Sequence, residues 1–551
     1  MRPLPFILAV AVVGLAGCRS PDAWRRSADE AAARAIAGGQ RAAFGAEQPF
    51  TIERPSDTLH RRLLLPAATN GPAPAVTNLV LTLADCLRVG ARNSAAYQDR
   101  KEQVFRAALA LDLEQHAFEA SYAGLLSGGL SDDRSSDPAE TQATGSAGAG
   151  FTRRLKNGAT LSTKITLDVV KLLTGDRDSS LGLLADATVT IPLMKDAGRE
   201  VATESLTQAE RDLVYELLRF ERYKADFAVG VASDCLSVLL AEQQVRIAED
   251  NLKRLEDSLR RAESLGGAGR MPATEVDQTQ QDVLRAHSRL VVTRQQAETR
   301  MDELKLSLGL PIDAGVRLDP AETQRVIGRV RSRLDDDATA PAEPAEDVCM
   351  ARALEQRQDL RVARQQTEDA ERRVRVAANA LRAGLNVTLQ ASEQRRDYRA
   401  GDTADIRFGD GTASGSVDVD LPWERTSERN AYRNALLAAD KARRDLEVFE
   451  DEVKKSVRDA LRALRETRDT YLIQRRAVDL AERRVRSTTL FLDAGRAQTR
   501  DVLEAGEALV GAQNALADAV VAYSRARWAL DRDTGDLRVD EDGKWNVEAT
   551  P

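Results

Sequence analysis

Two periods of apolar and polar positions organise this chain. Between 437 and 485, apolar or small side chains fall at Ala442, Leu446, Phe449, Val453, Val457, Ala460, Leu464, Tyr471, Val478, Ala481 and Val485. Their mean spacing of about 3.6 residues predicts a helix. A second stripe through Leu437, Val448, Leu461, Leu472 and Leu480 predicts that this helix packs on two sides. As single helices, 193–264 and 423–494 would each run roughly 100 Å at 1.5 Å per residue, lengths that suit a rod better than a globule. Two shorter helices accompany each long one. Four segments alternate with period two instead and predict strands at 151–172, 182–192, 385–396 and 412–422. Leu161, Thr163, Ile165, Leu167 and Val169 alternate with Ser162, Lys164, Thr166 and Asp168, and Val189 and Ile191 with Asp186, Thr188 and Thr190. Leu385, Val387 and Leu389 alternate with Asn386, Thr388 and Gln390, while Val417, Val419 and Leu421 oppose Ser416, Asp418 and Asp420.

A soluble sheet packed on a core shows the same alternation. Here the chain offers no separate helical layer to cover the aliphatic positions, so a barrel with a lipid-facing exterior and a wet lumen accounts for both faces. That assignment puts Leu161, Ile165, Leu167, Val189, Val387, Leu389, Val417 and Val419 toward lipid and Asp186, Asp418 and Asp420 toward the lumen. Four strands cannot close a barrel, and an open edge in lipid leaves backbone groups unpaired at several kcal/mol each. An oligomer is therefore required, of a number this reasoning does not give.

The chain is also written twice. The run from Asp85-Cys86 to Tyr97 is similar to that from Val348-Cys349 to Leu360. Ile191-Pro192-Leu193 matches Leu421-Pro422-Trp423, with Arg199 and Arg429 each seven residues past the proline. Gly269-Arg270 with Glu275-Val276 matches Gly495-Arg496 with Asp501-Val502, and the same spacing carries Gly309 onto Gly535. Two repeats follow, at 79–310 and 346–536, each reading helix, two strands, long helix, turn, shorter helix. The turns fall near 266–272 and 495–499. Residues 311–345 link the repeats and 537–551 form a short polar tail. Residues 18–78, interrupted by Pro21, Pro49, Pro55, Pro66, Pro72 and Pro74, read as a tether with one short Ala-rich stretch. Residues 127–150, rich in Ser, Gly, Asp and Ala, read as a flexible loop.

Composition narrows the compartment. Residues 1–17 combine Arg2 with a short apolar run, the pattern of a secretory signal rather than a transmembrane helix. The ending Leu15-Ala16-Gly17-Cys18 resembles a bacterial lipobox, which implies that Cys18 is lipidated and becomes the mature N-terminus. Ser20 stands second after that cysteine, in place of an inner-membrane-retaining Asp, favouring the outer membrane. Cys86, Cys235 and Cys349 form no CxxC pair, and an odd remainder in an oxidising compartment predicts buried thiols rather than a disulfide framework. A net charge of −8 gives no basic footprint for nucleic acid. His60, His116 and His287 lack metal-ligand spacing, and the sequence has no Walker loop, GxSxG elbow or dinucleotide fingerprint. Neither an enzyme, a metal nor a cofactor is expected.

The sequence resembles the TolC-like outer-membrane efflux family over about 79–535. The residues carrying the resemblance are FLDAGRAQTRDVLEA at 491–505 and AQNALADA at 512–519, the two Pro-containing strand exits, and Asp359-Leu360 with the helix through Ala380. The resemblance implies a mainly α protein with membrane β. Three four-strand protomers would form a homotrimer whose twelve-stranded β-barrel continues into a long α-helical periplasmic tunnel. It further implies a duct without catalytic activity, fed by an inner-membrane transporter through a periplasmic adaptor. The adaptor would dock on the hairpin tips at Gly269, Arg270, Gly495 and Arg496. Asp501 and Glu504 match the family's acidic pair at the narrow periplasmic entrance, and one turn apart they share a helix face. Three copies would stack acidic rings that attract cations; the plainer reading is an Asp favoured near a helix start. Glu504 replaces the commoner Asp, while Leu492 and Ala497 occupy the positions of a tyrosine and an arginine that latch such gates. Two other classes compete: a lipid-anchored periplasmic coiled-coil scaffold, and the adaptor itself. Against the scaffold stand the strands and the duplication; against the adaptor, two hairpins following two strand pairs. Cargo and pump class are not written in the sequence.

Overall fold

The computed structural model describes residues 20–52, 79–133, 140–172, 180–319, 345–397, 411–421 and 423–540, with positions 59, 325, 328, 332, 543 and 545. Cys18, the predicted signal segment and most of the predicted inter-repeat linker lie outside the described residues. Helix α1 (Pro21–Phe44) opens the chain and strand β1 (Leu79–Leu81) follows. The first repeat then runs through α2 (Leu83–Asn93), α3 (Ala95–His116), β2 (Ser121–Asp133), β3 (Glu140–Arg154), β4 (Thr160–Leu172) and β5 (Ser180–Pro192). A single turn α4 (Arg199–Ala202) precedes the long α5 (Glu204–Gly267) and α6 (Ala273–Ser307). After β6 (Val316–Leu318), the second repeat comprises α7 (Glu346–Gln356), α8 (Gln358–Asn379), β7 (Gly384–Asp397), β8 (Thr412–Asp420), α9 (Thr426–Asp493) and α10 (Thr499–Thr534).

The duplication is visible in element lengths. Helices of 11, 22, 64 and 35 residues in the first repeat answer helices of 11, 22, 68 and 36 in the second. At about 1.5 Å per residue the two long helices are about 96 and 102 Å long. The first starts some ten residues later than the periodicity predicts. Asp196 and Gly198 adopt φ of +61° and +97°, so the backbone turns after Pro192 before α5 begins.

Four further expectations are corrected. Of residues 127–150, expected as a flexible loop, 127–133 belong to β2 and 140–150 to β3, a pair that adds two strands to the four predicted, and 134–139 lie outside the described residues. The predicted strand 151–172 is accordingly two strands, separated by a turn at 155–159. The 18–78 tether carries a 24-residue helix, α1, with Pro21 in its first turn, Ser20 as N-cap and Gly45 closing it at φ +74°. Proline at that position costs nothing because its missing N–H would lack a helical partner anyway. Ala32, Ile36 and Ala43 of α1 are buried, and Gly39 lies against Leu213 and Leu217 so closely that a Cβ would sit 2.9 Å from Leu217 Cδ1. The polar tail, finally, contributes to a core: Trp545 is buried and stacks edge-on against Trp528 at 5.4 Å.

The chain divides into two compact units. One draws on Met1–Glu47, Val104–Leu217 and Ala363–Leu446, the other on Gln48–Gln103, Leu218–Val362 and Glu447–Pro551. The first contains a six-stranded sheet in the order β2-β3-β4-β5-β7-β8, every neighbouring pair antiparallel. A buried ionic cluster joins α5 to α8 in the same unit. Asp369 accepts hydrogen bonds from the Tyr215 hydroxyl (2.6 Å), Arg211 (2.7 Å) and Arg372 (2.7 Å), and Arg372 also reaches Glu204 at 2.7 Å. Burial pushes the Asp369 carboxyl up, but these hydrogen bonds and the two guanidinium charges outweigh it and hold the group below its ordinary range. Tyr215 moves the other way, raised by burial and by donating to Asp369.

The second unit holds two apolar cores, one formed mainly by the first repeat and closed by residues of α10 and the tail, the other formed by the second repeat. Cys86, Leu87, Ala228, Cys235, Leu304, Leu308 and Trp528 are in the first, Cys349, Ala353, Val453, Val457, Leu461, Tyr471 and Tyr523 in the second. The three cysteines are free and buried, as their odd number predicts. A hydrogen bond with Cys86, with burial, pushes the Cys235 thiol well up.

Candidate functional site

The sheet and the two helical hairpin tips carry the residues singled out by the sequence. Along the sheet, register settles which side chains share a face. Leu161 pairs with Val189, Val189 with Leu389, Ile191 with Val387, Val387 with Val417, and Leu385 with Val419. Ile165 and Leu167 alternate in phase with Leu161, so all eight residues predicted to face lipid lie on one face. Asp186, opposite Lys164, Asp418, opposite Asn386, and Asp420, opposite Gly384, lie on the other. Asp420 meets Arg425 at 3.3 Å where the strand hands over to α9.

The added hairpin obeys the same alternation. Tyr122 pairs with Phe151, Leu126 with Ala147 and Leu130 with Ala143, and β3 in turn places Ala149 opposite Ile165 and Ala147 opposite Leu167. Its aliphatic positions therefore continue the aliphatic face of the four predicted strands. Ser127, Ser146, Thr144, Gly148, Gly150 and Thr152 continue the polar face, where the Ser127 and Ser146 hydroxyls lie 2.6 Å apart. In the single chain the aliphatic face is uncovered: Ile165 is 57% exposed, Val417 64%, Leu126 66% and Leu130 78%. Strands β2 and β8 are the sheet's two edges, and each has a neighbour on one side only. Among the described residues no helix is long and apolar enough to cross a membrane.

The two tips share one backbone construction. Gly269 and Gly495 both take φ of +69°. Gly269 N–H donates to Gly266 and Arg270 N–H to Leu265, at 2.9 and 2.8 Å; Gly495 and Arg496 donate to Leu492 and Phe491 at the same distances. This closes the last turn of each long helix with a left-handed residue that only glycine adopts without strain. The Arg270 and Arg496 side chains are exposed. Past the second tip, Asp501 works as a helix cap: its Oδ2 accepts from Gln498 N–H at 2.9 Å in a capping box. Glu504, one turn on, approaches Arg484 at 3.4 Å with both groups more than half exposed. Both carboxylates are thus on the surface of the single chain. Sequence reasoning missed what holds the tips to each other. Buried Thr499 donates to Glu275, the first repeat's counterpart of Asp501, at 3.3 Å, and Arg261 reaches Asp493 at 3.2 Å. The repeat register, which carries Glu275 onto Asp501, is the signal that could have exposed the first contact.

No protein-family model matches this chain, and no curated protein matches its sequence. Solved structures do match. CusC, a former of transmembrane channels, is similar at 15% identity and a TM-score of 0.57, covering 82% of this chain and 92% of its own. The Campylobacter jejuni CmeC outer membrane channel is similar at 13% identity and a TM-score of 0.57, over 85% of this chain and 87% of that one. The open state of the Neisseria gonorrhoeae MtrE outer membrane channel gives 14%, a TM-score of 0.56, and coverage of 82% and 88%. From the duplicated helices, the single antiparallel sheet and these likenesses together, the chain has the fold of the TolC-like outer-membrane efflux channels.

Proposed function

We propose that this chain is the outer-membrane exit duct of a tripartite efflux or type I secretion system, without catalytic activity of its own. Three copies close their sheets into one barrel, lipid solvates the aliphatic face, and solute passes along the polar face. The observation that carries this reading is a sheet whose aliphatic face is uncovered and whose two edges both lack a neighbour. In water such a face would aggregate; in lipid it is solvated, and the edges are completed by other copies. Cys18 anchors the mature chain by lipid. The tip residues Gly269, Arg270, Gly495 and Arg496 present the helical end to a periplasmic adaptor, which couples the duct to an inner-membrane transporter. Asp501 and Glu504 ring the periplasmic entrance and favour cations.

The test is purification from membranes followed by planar-bilayer recording. A heat-modifiable trimer that needs detergent for extraction and conducts in steps is the expected result. A protein that, with its lipid removed, is monomeric in buffer without detergent and inert in bilayers would end the proposal.

A further inference from the structure

The duct reading treats the sheet as wall, and this inference rests on it. We infer that the barrel is built from eighteen strands, six from each of three copies, and that the hairpin of β2 and β3 widens its bore.

Three observations place the hairpin in the wall rather than above it. Its strands have 13 and 15 residues, against 13 in each of β4 and β5. At about 3.3 Å per residue and a tilt near 40°, thirteen residues rise about 33 Å, enough to cross the hydrocarbon core. A surface loop has no need of that length. Its aliphatic positions are also in phase with those of β4 across an unbroken register of thirteen pairs, from Gln142–Leu172 to Arg154–Thr160. The Tyr122 and Phe151 rings, 6.1 Å apart, stand on the aliphatic face near the strand ends next to the helices, as interfacial aromatic girdles do.

Parity then permits closure. Six strands in unbroken antiparallel succession leave β2 and β8 running in opposite directions. The β8 edge of one protomer can therefore pair antiparallel with the β2 edge of the next. With neighbouring strands about 4.8 Å apart and tilted near 40°, twelve strands enclose a backbone diameter of about 24 Å and eighteen about 36 Å. The ratio of about 1.5 hardly depends on the tilt. The polar face the hairpin adds has Ser127, Thr144, Ser146, Gly148, Gly150 and Thr152 along it, with Leu125 beside Gly148 and Arg154 at the end next to the helices. Small side chains along its middle leave the extra bore open. The barrel thus admits bulky polar solutes, and discrimination by size is left to the helical end.

Electron cryo-microscopy of the purified protein in lipid nanodiscs tests this by counting strands. Eighteen are expected. Twelve, with the hairpin lying outside the wall, would overturn the inference and leave the duct reading standing; a lone chain with no membrane density would overturn the duct reading itself. A second measurement deletes residues 121–156, joining Ala120 to Asn157 and removing β2 and β3 while β4 keeps its direction. Poly(ethylene glycol) is then added on the barrel side only of a planar bilayer, since the narrow helical end dominates total conductance. The polymer radius at which exclusion sets in should fall by about a third in the deletion variant, following the ratio of diameters. An unchanged cut-off in a folded trimer would refute the inference.

Discussion

The face assignment makes opposite predictions for two adjacent residues of β4. Ile165 stands on the aliphatic face and Thr166 on the polar face. Each step along a tilted strand rises about 2.5 Å, which puts Ile165 about 13 Å above Thr160 and within about 4 Å of mid-strand. An arginine at that depth on the lipid side of a barrel costs about 2–4 kcal/mol. On the lumen side it meets water and costs about 0.5 kcal/mol or less. Ile165→Arg should therefore destabilise each copy by about 2–4 kcal/mol, a 30- to 800-fold shift in the folding equilibrium, and Thr166→Arg should be nearly silent. The assay is urea-dependent folding into lipid vesicles, followed by heat-modifiable migration. The logic also separates lipid from water around the sheet. Ile165 is 57% exposed in the single chain, so a sheet facing water would tolerate Ile165→Arg within about 0.5 kcal/mol. Equal, small effects of the two variants would refute the lipid assignment, and a larger effect at Thr166 would invert the faces.

Other consequences follow from the tips, helix ends and ionic cluster. Asp501→Asn combined with Glu504→Gln should weaken cation selectivity, read as a smaller reversal potential in a KCl gradient; an unchanged potential removes these residues from the gate. Gly495→Ala should cost about 1–2 kcal/mol, from the left-handed backbone alone, since nothing crowds its Cβ position. Gly309→Ala should cost clearly more in the same urea titration, because its Cβ would also lie 2.3 Å from the Asn93 carbonyl oxygen at φ +69°; equal losses would mean the helix end simply moves aside. Asp369→Asn, which breaks a buried charge cluster, should lower stability at pH 7 by on the order of 3 kcal/mol. Because the folded carboxyl is held below its unfolded value of about 3.9, its contribution is complete above that value and is lost as pH falls through the folded one. Wild type and variant should therefore converge below about pH 4; a constant gap would show that the cluster acts through packing.

The duplication, the tips and four of the strands were legible because each rests on a local signal. Gly269 and Gly495 fix a backbone conformation, and Leu161–Val169 alternates between strongly aliphatic and strongly polar side chains. The hairpin of β2 and β3 lacks that contrast. Ala143, Gly145, Ala147 and Ala149 on one face differ little in polarity from Thr144, Ser146, Gly148 and Gly150 on the other, so the segment resembles a linker until β4 pairs with it. Period two was nevertheless present in Tyr122, Leu126 and Leu130. Helix α1 was obscured by reading Pro21 as an interruption, when at the first turn it is a start. Asp501 and Glu504 lie one turn apart on α10, but Asp501's capping bond to Gln498 belongs to backbone geometry that spacing alone does not reveal.

Trp545 and Val539 share a core with Cys86 and Leu87, more than 450 positions earlier. The core of the first repeat is thus incomplete until residues 539 and 545 are in place. A product stopped short of Trp545 would leave Cys86 and its neighbours open to proteases, so the core of the first repeat is sealed by residues that follow the second.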